Sequence, residues 1–270
     1  MATMRTETFF RVLRIRRRSL IGWSIATVSL VGLIVLSYVA IRGQESFQTM
    51  LEDYPDFVQQ ILGLGGGLSI TSPAGYLNSQ LFANTLPLIF LIFLIAFAVR
   101  ETAGEELDGT LDLALSHPIT RERFILEKFA AMTTAGAGLA ILSVLTMMAT
   151  SPLAGIDIGW DQYLGATLSV YLIGLVFGTL ALAVAAATGS KGVALGVSST
   201  LAVGLFVLWG LAPLISGLHG LDRVNPFYWG LAGPPITEGI QGGNLLLLVV
   251  IVIVLAGAAV AGFRRRDLGT

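Results

Sequence analysis

The chain has 270 residues, of which 54% are hydrophobic and 12% charged, with a formal net charge of -1 and a mean hydropathy of +0.81. This composition is too apolar for a soluble domain, and the near-zero charge gives no sign of a nucleic-acid partner. The absence of cysteine excludes disulfides, thiolate metal ligands and cysteine nucleophiles. Several continuous apolar runs of about 20 residues predict membrane-spanning helices, whereas a β-barrel needs short alternating strands.

The N-terminal segment, residues 7–18, mixes apolar residues with five arginines. This pattern predicts an amphipathic helix at the membrane surface, with arginines that reach lipid phosphates. A positive flank that only orients the first span explains the pattern equally well. The next apolar run predicts span one over about residues 20–41, and its full length and lack of a small-residue cleavage site argue against a signal peptide.

The segment over residues 43–73 contains Glu45, Glu52, Asp53 and Asp56 but no Lys or Arg until span two. Its apolar residues recur at helical spacing, which predicts a short amphipathic helix outside the membrane. Glycines concentrated between residues 63 and 67 indicate a flexible linker, because neither a lysine nor a strand-to-helix context accompanies them as in a phosphate-binding loop.

Span two is predicted over about residues 75–99, and its first half is unusually polar. The polar residues that precede Pro87 are Asn78, Gln80, Asn84 and Thr85. Such groups are tolerated in a bilayer only where they face protein or a wet cavity. Hydrogen bonding between helices and a place in a transport pathway are both consistent with them.

A charged stretch, which we call the polar island, occupies residues 100–128 and contains seven acidic and four basic residues. A charge at a bilayer centre costs about 2.5 to 3.5 kcal/mol, so the whole island is predicted to lie in water. From Glu101 to Leu115 its apolar residues recur mostly at three- and four-residue steps, which predicts an amphipathic helix. His117-Pro118 ends that helix, and Thr120 caps the next one.

The remaining apolar runs predict four further spans, at about residues 129–148, 163–187, 193–215 and 245–263. Gly136 and Gly138 in span three suit close helix contact. Between spans five and six, aromatic residues and Pro234-Pro235 predict two short half-helices on the outer side, with one irregular surface loop as the alternative. The turn at residues 188–192 lacks the spacing of a phosphate-binding loop, so the sequence does not predict ATP binding by this chain.

The basic residues indicate how the six spans are oriented in the membrane. The N-terminal segment, the polar island, the turn at residues 188–192 and the C-terminal tail together hold 14 of the 16 Lys and Arg residues. Arg42 and Arg223 are the exceptions. Because basic loops stay on the cytoplasmic side, the sequence predicts that both termini and the polar island are cytoplasmic.

The polar island carries the run E-x-x-x-G-T-L-D-x-x-L-S-x-P-I-T-R-x-x-F-x-x-x-K from Glu105 to Lys128. This run resembles the signature of permease subunits of type-2 ABC exporters. The resemblance extends to the six spans, the N-terminal surface helix and the segment that begins Asn225-Pro226-Phe227-Tyr228-Trp229. It implies an all-α integral membrane protein of the plasma membrane, with a single permease domain over residues 1–270. The large acidic segment after span one departs from the family pattern.

The resemblance also implies partners. The helix in the polar island is expected to be a coupling helix that sits in a groove of a separate ATPase subunit, where ATP and Mg²⁺ bind. Two permeases and two ATPases are expected to form the transporter in the lipid bilayer. The residues expected to couple to the ATPase are Glu101, Glu105, Glu106, Asp108, Gly109, Thr110, Asp112, Pro118 and Arg121. The alternative is a solvated acidic face, with Gly109 and Pro118 serving only to end helices.

In such a family the substrate is exported by alternating access, along a path between the two permease copies that spans two and five line. The residues expected along this path are Asn84, Thr85, Ser199, Phe206 and Trp209. An apolar path with a few weakly polar groups fits lipids, hydrophobic drugs and peptides alike. The sequence therefore does not indicate the substrate.

Two other functions remain open at this stage. An ABC permease of this kind can also use ATP-driven motion to act on an extracytoplasmic partner, which would dock on the acidic segment over residues 45–62. An intramembrane enzyme has less support, because His117 and His219 are isolated and the chain contains no HExxH or GxSxG motif. No metal site is predicted.

Overall fold

The computed structural model describes residues 7–44, 54–55, 58–59, 62, 69–104, 120–211, 220, 224–231, 233, 235–238 and 242–266. Across these residues all regular structure is helical. The helices are α1 (Glu7–Ile15), α2 (Arg17–Ile41), α3 (Pro73–Gly104), α4 (Arg121–Ala154), α5 (Trp160–Thr188), α6 (Lys191–Leu211), α7 (Pro226–Leu231), α8 (Pro235–Glu238) and α9 (Gly242–Arg265). Six of them, α2 to α6 and α9, are long and apolar enough to cross a membrane, which confirms the six predicted spans.

The helix α4 shows why several helices exceed the apolar runs that predicted them. It begins at Arg121, where the Thr120 hydroxyl caps it, as predicted, by accepting a hydrogen bond from the Arg123 amide. The helix therefore includes residues that precede the apolar run predicted as span three over about residues 129–148. It continues through Pro152 and ends at Ala154, and Gly155 caps it with a φ of 70°, a value that suits glycine. For span five, the predicted end at residue 215 lies outside the described residues.

The N-terminal surface helix is α1, and it is shorter than the predicted 7–18. It ends at Ile15, and Arg17 already begins α2, so Arg16 alone joins the two helices. Val12 is buried where α1 packs on α4, whereas Phe10 and Ile15 are exposed. This division into a buried and an exposed side agrees with an amphipathic helix that lies on the bundle.

The centre of the bundle is α5. Its apolar stretch is 83% buried, compared with 22% for α6 and 28% for both α2 and α9. Helix α5 packs most extensively on α3 and α9. The peripheral helices therefore present apolar faces such as those of Leu33, Val203 and Ile253, which suit lipid or another protein.

Small residues on α5 allow α3 to approach closely. A Cβ placed on Gly174 would lie 2.6 Å from the Cβ of Phe90, and one on Gly178 would lie 2.7 Å from the Cβ of Leu94. Gly136 of α4 similarly lies against Leu94, as predicted for a small residue at a helix contact. The same prediction is wrong for Gly138, because a Cβ there would have no neighbour within 4 Å.

Two short helices, α7 and α8, precede the last span, so the described part of this segment contains two half-helices rather than one irregular loop. The acidic segment between α2 and α3 is different. Apart from residues 54–55, 58–59 and 62, its predicted helix and glycine linker lie outside the described residues. Its predicted role as a docking surface over residues 45–62 therefore stays a prediction.

Candidate coupling junction and candidate path

The two ends of the polar island meet at one end of the bundle. We call it the arginine-rich end because Arg14, Arg17, Arg18 and Arg265 lie there. Gly104 closes α3, Thr120 precedes α4, and residues 105–119 between them lie outside the described residues. The predictions that fall in this gap remain predictions, and they concern Glu105, Glu106, Asp108, Gly109, Thr110, Asp112 and Pro118. The structure does describe how the residues on either side of the gap are held.

Glu101 lies inside the protein and not on its surface. Residues Arg100–Gly104 continue α3 as a π-helical turn, and the Glu101 side chain, 3% exposed, pairs with the Arg16 guanidinium. The backbone carbonyl of Glu101 also accepts a hydrogen bond from the Lys128 amine, and Lys128 is 1% exposed. The prediction that the whole polar island lies in water is thus wrong for Glu101 and Lys128.

The physical reason is charge pairing at close range. A buried carboxylate is strongly unfavourable unless a cation and hydrogen bonds compensate it, and Arg16 supplies both. The Lys128 amine is compensated by the Glu101 carbonyl and lies 4.2 Å from the centroid of the Phe124 ring. In this arrangement the Glu101 carboxylate is buried against its own chain, and its expected contact with an ATPase subunit stays a prediction.

Glu127 of α4 holds the beginning of α1. One of its carboxylate oxygens accepts hydrogen bonds from the backbone amides of Thr8 at 3.1 Å and Phe9 at 3.3 Å. The other accepts one from Arg123 at 2.8 Å. The first amides of a helix have no partner within the helix and carry partial positive charge, so a carboxylate is well suited to this position.

The end of α9 and the residue that follows it, Arg266, contact the start of α4. The Arg121 guanidinium donates a hydrogen bond of 2.9 Å to the backbone carbonyl of Arg266, and Arg264 pairs with Glu122 at 2.9 Å. The guanidinium of Arg266 lies against Gly189, which ends α5 with a φ of 64°. Cations are favourable at the end of a helix because its last carbonyls carry partial negative charge. Arg121 nevertheless remains exposed, and its expected contact with an ATPase subunit stays a prediction.

These contacts fix the residues on both sides of the gap to the bundle. On one side, Arg16 and Lys128 hold Glu101 of α3. On the other, Thr120 caps α4, and Glu127 joins α4 to α1. Whatever displaces residues 105–119 therefore acts directly on α3 and α4.

A separate feature is an apolar cavity of about 110 Å³ between α3, α6 and α7. It is lined by Asn84, Pro87, Leu88, Leu91, Ala202, Val203, Phe206 and Phe227. Among these lining residues Asn84 supplies the polar side chain. The cavity is open to the outside of the described bundle and not sealed within it, because Leu88 and Val203 are 57% and 62% exposed.

The structure brings Asn84 and Phe206 together in this cavity, as predicted for spans two and five. Trp209 is buried next to them, with its ring centroid 5.8 Å from that of Phe206 and its indole nitrogen without a hydrogen-bond partner in the described part of the chain. Thr85 and Ser199 do not line the cavity, and Ser199 is exposed. Whether any of the five contacts a substrate remains a prediction.

The polar side chains in the first half of α3 find hydrogen-bond acceptors within their own helix, which the sequence did not predict. Residues Asn78–Thr85 form a π-helix, in which the Asn84 amide donates to the Ser79 carbonyl at 2.9 Å and the Thr85 hydroxyl donates to the Gln80 carbonyl. These acceptors lie five residues earlier in the same helix. The bonds thus satisfy polar groups inside the membrane helix without a neighbouring helix, and π-helical turns are frequent at functional sites.

Asn225 is a functional candidate that sequence reasoning missed. Its side-chain amide donates to the Leu205 carbonyl of α6 at 2.7 Å, and its side-chain oxygen accepts from the Phe227 amide at 3.0 Å. It therefore caps α7 and fastens it to α6, which places the Phe227 ring 5.4 Å from that of Phe206. The Asn-Pro pair at a helix start was an available signal, since both residues favour that position.

The long apolar helices and their packing define a multi-pass α-helical membrane protein. The family model of the ABC-2 family transporter proteins matches residues 13–268, so the chain belongs to that family. It is accordingly a permease subunit of an ABC transporter, which works with an ABC ATPase subunit. No individual curated protein matches the chain.

Proposed function

We propose that this permease couples ATP hydrolysis, carried out with Mg²⁺ on a separate ATPase subunit, to the export of an apolar substrate by alternating access. The observation that carries this proposal is the anchoring of residues 105–119 at both ends. A segment that leaves α3 beside the Arg16–Glu101 pair and enters α4 at the Thr120 cap can transmit a displacement to two membrane helices at once.

The proposed orientation places the arginine-rich end in the cytoplasm, with both termini there and the protein in the plasma membrane. It is supported by the exposed arginines of this end, which include Arg14, Arg17, Arg18 and Arg265. Next to them, the exposed Phe10 and Ile15 of α1 suit the acyl region below lipid headgroups. Lipid is thus a proposed partner of α1.

The proposed assembly contains two permeases and two ATPase subunits. The low burial of α2 and α6 supports it, because these helices present more apolar surface than the core of one permease covers. In this arrangement the cavity beside Asn84 and Phe206 forms part of the path between the two copies. The almost wholly apolar lining supports an apolar substrate, since a polar one would leave its hydrogen bonds unmade.

Cysteine labelling tests this proposal, because the chain contains no cysteine of its own. Asp112→Cys is expected to react with a membrane-impermeant maleimide from the cytoplasmic side and to cross-link to the ATPase subunit in the purified complex. Trp160→Cys, at an exposed position at the opposite end, is the control and is expected to react only from outside. Labelling of the two positions from the reverse sides would refute the orientation and the coupling together.

A further inference from the structure

The π-helix Asn78–Thr85 lies between two parts of α3 that different neighbours hold. Before it, the Tyr76 hydroxyl bonds to the Ser37 hydroxyl of α2 at 2.7 Å. After it, Phe90 packs so closely against Gly174 of α5 that a Cβ on the glycine would lie 2.6 Å from the Cβ of Phe90. A change in the winding of the π-helix would therefore turn one of these held parts against the other.

Pro87 accounts for the π-helical winding. In an α-helix the ring of a proline clashes with the carbonyl four residues earlier, here that of Ala83, and proline has no amide hydrogen to donate. A wider turn relieves the clash, and the Leu86 amide donates to the Leu81 carbonyl, five residues earlier. Pro152 of α4 shows that this protein also accommodates a proline in α-helical winding. The α-helical form of the stretch is thus an available alternative.

The polar side chains of the stretch suit either winding. The Asn84 amide donates to the Ser79 carbonyl at 2.9 Å, and the Thr85 hydroxyl donates to the Gln80 carbonyl, each five residues earlier. In the α-helix α5, by contrast, the Thr179 hydroxyl donates to the carbonyl four residues earlier, at 2.7 Å. Rewinding the stretch would give both side chains an acceptor one residue further along the same helix. Neither polar group would then face hydrocarbon without a partner.

Rewinding one π-turn would move one part of α3 by a definite amount. An α-helical hydrogen bond spans four residues and a π-helical bond spans five, so the change shifts the helix by one residue. One residue corresponds to a rotation of about 100° and a rise of about 1.5 Å, which moves a backbone atom by about 3 to 4 Å. Because Phe90 and Leu94 pack closely on the glycines of α5, the part that turns is residues 73–77. Asn84 and Pro87, at the inner end of the stretch, line the cavity.

We propose that Asn78–Thr85 is a winding switch, with Pro87 as the residue that sets its balance. The stretch is π-helical in the present structure and α-helical in the other conformation of the transport cycle. Rewinding turns residues 73–77 away from α2, at the end of the bundle opposite the arginine-rich end, and so changes access to the cavity. This inference rests on the proposed function for the existence of two conformations and adds the element of α3 that differs between them.

The test uses the intact permease–ATPase complex in lipid nanodiscs. Spin labels are attached at Ala74→Cys, before the π-helix, and at Leu164→Cys, an exposed position on α5. The distance between the labels is measured without nucleotide and with ATP trapped by vanadate. We expect trapping to change this distance by about 3 Å or more in the complex with Pro87. In Pro87→Ala, which removes the ring, the distance without nucleotide is expected to equal the trapped distance already.

The matched control is Pro152→Ala. It removes a proline from another span, where the helix is α-helical on both sides of the substituted residue. We expect this variant to keep both distances of the complex with Pro87 and Pro152 intact. Equal shifts in the two variants would show a general effect of replacing a proline in a span and would contradict the switch.

An assembled Pro87→Ala complex that keeps the nucleotide-free distance of the unsubstituted complex would overturn the proposal. A labelled complex with Pro87 in which trapping leaves the distance unchanged would overturn it too. Should Pro87→Ala fail to assemble, Pro87→Leu also restores the amide and carries the same expectation. The Asp112 cross-link then decides separately whether coupling through residues 105–119 has failed, because it does not depend on the winding of α3.

Discussion

Phe90 of α3 lies directly against Gly174 of α5, where a Cβ on the glycine would come 2.6 Å from the Cβ of Phe90. Gly174→Ala is therefore expected to push the two helices apart and to destabilise the protein by about 1 to 3 kcal/mol. Thermal unfolding of the purified permease in detergent measures the effect.

The control for this substitution is Gly138→Ala on α4. A Cβ there meets nothing within 4 Å, and alanine favours a helix over glycine by about 1 kcal/mol, so this variant should be neutral or more stable. Equal effects of the two alanines would contradict the close packing of α3 on α5.

Asn225→Ala is expected to loosen α7 from α6. It removes the 2.7 Å bond to the Leu205 carbonyl together with the cap on the Phe227 amide, and losses of this kind cost about 1 to 3 kcal/mol when the groups are buried. Asn225→Ser can still cap α7 but is too short to replace the amide at Leu205, and it should recover part of the loss. We compare the unfolding temperatures of the unchanged protein, Asn225→Ala and Asn225→Ser. An unfolding temperature of Asn225→Ala equal to that of the unchanged protein would show that these bonds do not hold α7 to α6.

Ala202→Leu tests the cavity beside Asn84 and Phe206. Because Ala202 lines it, the added carbons should enter empty space, and the unfolding temperature should stay constant or rise while ATP-driven export falls. Ala194→Leu is the matched control, since Ala194 is fully buried on the same helix and does not line the cavity. That change should cost about 1 to 3 kcal/mol. A larger loss of stability in Ala202→Leu than in Ala194→Leu would show that the cavity cannot hold the added carbons.

Glu127→Ala is expected to release the first turn of α1. The amides of Thr8 and Phe9 would lose their acceptor, at a cost of about 1 to 2 kcal/mol, and should exchange hydrogen for deuterium faster. Glu127→Gln keeps an acceptor oxygen and should lie between this variant and the unchanged protein. Glu122→Ala, in an exposed pair, should leave exchange in α1 unaffected. Slow exchange in Glu127→Ala would mean that other contacts hold this turn.

Hydropathy and helix capping were sufficient to predict the six spans and the start of α4 at Thr120. Both depend on residues close together in the sequence. The burial of Glu101 could not be predicted in this way, because its partner Arg16 lies 85 residues away and either residue alone suggests a water-exposed charge. The π-helix over Asn78–Thr85 was missed for a different reason, since polar residues in a span do not specify whether their partners lie in the same helix.

All four of Asn84, Thr85, Ser199 and Phe206 lie on the two helices predicted to line the path, but only Asn84 and Phe206 of these line the cavity. Assigning a helix face needs the packing partner, and α6 has few. The place of Phe227 beside the cavity could not be predicted from the sequence, because it depends on how α7 packs against α5, α6 and α9.

The contrast between α5, 83% buried, and α6, 22% buried, has a consequence for how such a protein can evolve. In the proposed path, replacements on α6, which is sparsely packed within one chain, can change which substrates the permease accepts while the tightly packed α5 keeps the helix packing intact. Changes in selectivity among related permeases should therefore accumulate on α6 and leave the glycines of α5 alone.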